Sequence, residues 1–73
     1  MKPDQKEMLF NAIRLLHVEY WNIIALNIDI GHALSVLYNA VHDNDFDMMR
    51  EAARKIDGMI GAGIEIELLK IAG

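Results

Sequence analysis

Asp29 and His32 lie three residues apart, the spacing at which a helix presents a carboxylate and an imidazole on one face. Such a pair can ligate a divalent metal inside a helical bundle, provided that further carboxylates converge on it. Glu19, Glu65 and Glu67 are the available acids, and a hairpin register does not bring them to Asp29. A solvated surface pair is therefore the better reading, and no metal is expected. His17, His32 and His42 are widely spaced, and Ser35 is the only serine in a chain without threonine or cysteine. Ser35 is one turn from His32, but nothing supplies an oxyanion hole or a third orienting group. Gly58-x-x-Gly61-x-Gly63 has the glycines of a phosphate loop. It lacks the preceding strand and the following Lys-Ser or Lys-Thr, so close helix packing explains it better. No catalytic residue, no cofactor and no enzymatic activity are expected.

The elements that would carry these residues are set by one pattern. Leu9, Ile13, Leu16, Tyr20, Ile23, Asn27, Ile30, Leu34, Leu37 and Val41 follow an unbroken 4-3 spacing. That period predicts a long helix, about 3–42, buried along one face. Pro3 suits its first turn, and Asp4 and Glu7 suit the positive end of its dipole. His42-Asp43-Asn44-Asp45 breaks the pattern and offers caps to a second helix, about 45–71. That helix would bury Phe46, Met49, Ala53, Ile56, Ile60, Ile64, Leu68 and Ile71 on one face. Ile64 to Leu68 also alternates like a strand, but a lone strand has nothing to pair with. The fold expected is an all-α antiparallel helical hairpin, one domain over residues 1–73.

A second copy is implied by three features. The 73 residues are 53% hydrophobic and contain no cysteine, so disulfides cannot stabilise so small a core. Mean hydropathy is +0.16. In a simple hairpin register Met8, Leu9, Phe10 and Ile13 overhang the second helix. Leu15, Val18, Trp21, Ala25, Ile28 and Val36 are apolar positions outside the seam. Two hairpins joined as a four-helix bundle would cover all of these, with Leu9, Ile13, Leu16, Tyr20, Ile23, Asn27, Ile30, Leu34 and Leu37 as the dimer seam. Asn27, polar within that seam, would pair with its symmetry mate or face water or a backbone group.

Charge narrows the partners. Net charge is −4, with 7 basic against 11 acidic residues. No cluster of Lys and Arg exists to grip nucleic acid. Ile23 to Val41 has the length of a membrane span but holds Asn27, Asp29, His32 and Asn39. A mid-bilayer Asp alone costs about 2.5–3.5 kcal/mol, so neither a membrane span nor a secretory leader is expected, and the cytoplasm is the default. The resulting expectation is a homodimeric interaction module that regulates or inhibits a larger protein, in the style of phage and mobile-element proteins that block host factors. Met8, Phe10, Arg14, Trp21 and Tyr38 are the candidate partner surface. Two alternatives are a small-ligand binder with a pocket lined by His17, Trp21, Asp29 and His32, and a structural or co-chaperone subunit paired with a larger chain.

Overall fold

The computed structural model describes residues 2–72. Every regular element among them is an α-helix: α1 (Pro3–Glu19), α2 (Trp21–Leu26), α3 (Ile28–His42), α4 (Phe46–Ile60) and α5 (Ile64–Ala72). The all-α class and the antiparallel α3–α4 hairpin are as the sequence predicts. The two long helices are not continuous: each is broken, and each break reverses the chain.

The first break lies at Tyr20 and Asn27. Asn27 has extended backbone (φ −130°, ψ 107°) and caps α3. Its side-chain oxygen accepts from the N–H groups of Asp29 at 3.0 Å and Ile30 at 3.3 Å. A short polar side chain satisfies free N–H groups best at a helix start, and Asp29 just after it favours the positive dipole end. The long helix of about 3–42 is thereby corrected to three helices. α1 folds back along α3, and Lys6 Nζ donates to the His42 carbonyl at 2.6 Å.

The second break lies at the glycines. Gly61 and Gly63 have φ of 71° and 68°, left-handed values that an L side chain resists. Gly61 closes α4 with its N–H bonded to the Asp57 carbonyl at 2.8 Å. An added Cβ at either glycine would meet nothing within 4 Å, so close packing is not their role. They turn the chain, and the second helix of about 45–71 becomes α4 and α5. Asp57 fixes the corner. Its carboxylate accepts from the N–H of Ile64 at 2.6 Å and of Glu65 at 3.0 Å, capping α5 from inside α4. Arg54 of α4 also pairs with Glu65 of α5.

These reversals build a small bundle within one chain. α1 packs on α3 and α5, and the start of α1 reaches the end of α5, where Gln5 Nε2 donates to the Ile71 carbonyl at 3.4 Å. Leu9 and Ile13, predicted to overhang, are fully buried by their own chain. Leu16, Ile30, Leu34, Leu37 and Val41 join them, with Met49, Ala53, Ile56, Ile64 and Leu68 from α4 and α5. The predicted seam is buried except at Tyr20, Ile23 and Asn27, and what covers it is α1 and α5 folding inward.

Candidate interaction surface

Burial of the seam leaves the uncovered apolar surface elsewhere. Leu15 and Val18 end α1, Trp21, Ile23 and Leu26 lie on α2, and Ile28 opens α3; all are exposed. Leu26 and Ile28 are each 89% exposed, and Trp21 is 57% exposed. α2 is six residues long and packs only against its neighbours α1 and α3, so one helix face goes uncovered. The antiparallel order brings the last turn of α4 and the first turn of α5 to this same end. They add Met59 and Ile66, also exposed. The opposite end carries the acidic turn Asp43-Asn44-Asp45 with Asp47, where Asp45 caps α4 by accepting from Met48 N–H at 3.1 Å. The long axis, 34 Å against 20 and 18 Å across, thus joins an apolar end to a charged one.

Acids edge the helix-α2 side of the apolar end. No Lys or Arg occurs between Arg14 and Arg50, and Glu19 and Asp29 flank the exposed apolar run. Glu67 lies at the rim on α5, with Lys70 at 3.6 Å from its carboxylate. Trp21 leans on His17 of α1, ring centroids 5.5 Å apart, and together with Val18 they line a shallow cleft of about 310 Å³.

The predicted site residues fall into three groups. Leu9, Ile13, Leu16, Ile30, Leu34 and Leu37 of the proposed dimer seam lie in the chain's own core. Tyr20 is half-buried at the kink between α1 and α2, Ile23 is exposed, and Asn27 is the cap described above. Phe10, Arg14 and Tyr38 of the candidate partner surface come together. Phe10 stacks on Tyr38 at 6.1 Å, and both line a groove of about 570 Å³ between α1 and α3 with Pro3, Lys6, Glu7, Asn11 and Arg14. Met8 is exposed but does not line it, and Trp21 belongs to the other end.

The constellations weighed for chemistry disperse. Asp29 and His32 are both exposed, and no group of three potential metal ligands forms among the described residues. His32 lines a groove between α3 and α4, away from His17 and Trp21, so those residues do not share a pocket. His42 Nδ1 lies 3.2 Å from Asp43 Oδ1, both side chains in water. No helix among the described residues is long and apolar enough to cross a membrane. The sequence marks Leu15, Val18, Trp21 and Ile28 as apolar positions outside the seam; it does not single out Leu26, and it places Ile23 in the seam. The Asn27-x-Asp29 start signal was the available cue to the break beside Leu26. No protein family, curated protein or solved structure matches the chain.

Proposed function

We propose that this chain is a non-enzymatic interaction module, a small regulator or inhibitor that docks on a larger protein through its apolar end. The observation that carries this reading is the concentration of exposed Leu15, Val18, Trp21, Ile23, Leu26 and Ile28 at one end of a bundle whose core is otherwise well covered. Exposed apolar clusters of this kind mark binding sites, and Trp is among the residues enriched at binding hot spots. The acids at its edge, with no Lys or Arg from residue 15 to 49, favour a partner with an apolar centre and a basic rim. They disfavour nucleic acid and anionic lipid, which repel the same charges.

The test compares the wild-type chain with a Leu26→Asp/Ile28→Asp variant as affinity baits, after circular dichroism shows both equally helical. A protein retained by the wild type and lost by the variant, with binding weakened by added salt, supports the reading. An identical set of captured proteins for both baits overturns it.

A further inference from the structure

Two contacts set how α1 lies on α3. Lys6 Nζ reaches the His42 carbonyl at 2.6 Å, and Phe10 stacks on Tyr38 at 6.1 Å. Both pairs are centred on position 24, within α2. The connection between the two helices is the short helix α2, set off by Tyr20 and Asn27. Backbone hydrogen bonds run from Ile24 N–H to the Tyr20 carbonyl at 2.9 Å and from Gly31 N–H to the Asn27 carbonyl at 3.1 Å. Tyr20 (φ −107°, ψ 22°) and Asn27 (φ −130°, ψ 107°) are the connection's two departures from helical backbone, and Asn27 is the larger. Neither Gly nor Pro lies between Tyr20 and Ile30, and the 4-3 apolar spacing passes through without a phase change.

Turning Tyr20 and Asn27 into the helical region would make residues 3–42 one helix, about 60 Å long. The bonds from Asp29 and Ile30 N–H to the Asn27 side chain would be replaced by ordinary backbone bonds, so hydrogen bonding is conserved. The straightened chain loses only the cover that α1 gives to α3 and α5. A second straightened copy restores it by laying its own α1 in the vacated place. Because the observed pairs are centred on α2, two such helices lie antiparallel with a two-fold axis at Ile24 and remake between copies the contacts that one copy makes within itself. Ile23, exposed in the single chain, then meets its counterpart's surroundings near the axis.

We propose that a second copy of this chain docks by exchange of α1, with Tyr20 and Asn27 as the hinges, the capped Asn27 being the one that holds the single-chain form closed. Its cap exists only when the hinge is bent, and in the straight helix Asn27 is a polar residue in an apolar seam. This goes beyond the interaction-module reading and does not depend on what the apolar end binds.

Two measurements test it together. Light scattering across concentration gives the dimer dissociation constant for wild type, Asn27→Leu and Asn27→Asp. A short bis-maleimide applied to Lys6→Cys/His42→Cys, in a chain with no cysteine of its own, reports whether α1 and α3 touch within or between copies. Asn27→Leu loses a cap in each of two chains per dimer and should dimerise roughly thirtyfold more tightly, with cross-links between copies. Asn27→Asp keeps the cap and should match the wild type. Asn27→Ala, which lacks the cap without adding apolar bulk, gives the same reading if Asn27→Leu does not fold. An unchanged dissociation constant, or a dimer cross-linked only within chains, overturns the proposal.

Discussion

Asp57 does two jobs with one carboxylate. It sits within α4 and caps α5, so its two oxygens join the helices at the Gly61–Gly63 corner. Asp57→Ala should destabilise the protein by about 1–2 kcal/mol, measured as a lower urea midpoint with an unchanged slope. Gly61 is a different kind of residue constraint. At φ 71° an alanine meets no neighbour but strains the backbone, so Gly61→Ala should cost about 1 kcal/mol by the same measurement. Leucines separate by place rather than type. Leu34→Ala removes a buried side chain and should cost about 2–5 kcal/mol in chemical denaturation, whereas Leu26→Ala should change stability by less than about 0.5 kcal/mol.

At the scale of elements, α5 closes the bundle, and polar contacts at one corner hold its start. It covers α1 from one side, and its start rests on Asp57 and the Arg54–Glu65 pair. Native-state hydrogen exchange should find α5 amides opening at lower free energy than those of α3, and Asp57→Ala should lower α5 protection first. The helical faces of both halves were legible because period alone reveals which side of a helix is buried. Leu9 and Ile13 read as buried positions, and they are. What covers them was not legible, because a 4-3 spacing looks the same whether the helix is straight or folded onto itself. Asn27 shows why: a polar residue at a seam position satisfies both a dimer contact and a helix start. Gly61 and Gly63 posed the same ambiguity, since glycine serves close packing and left-handed turns equally. The apolar residues of the exposed end were partly legible, since Leu15, Val18, Trp21 and Ile28 fall outside the seam, but their gathering at one end was not. Their gathering follows from the fold-back at Tyr20 and Asn27.

For the whole molecule, the Cα radius of gyration of 11.1 Å matches the value of about 11 Å for a compact chain of this length. One shared core runs through α1, α3, α4 and α5, so unfolding should be a single calorimetric transition with a heat-capacity change of about 1 kcal/mol/K. Trp21 is the only tryptophan and is more than half exposed. Its emission should therefore shift little on unfolding, and a blue shift on adding a partner would report cover at the apolar end. The polarity of the long axis reaches further than recognition. A particle 34 Å long with an oily tip and a charged foot is, in colloid terms, a miniature surfactant. It should gather at an air–water boundary tip outward and lower the surface tension, and vigorous shaking should strip it from solution faster than the Leu26→Asp/Ile28→Asp variant, whose tip has been made wettable.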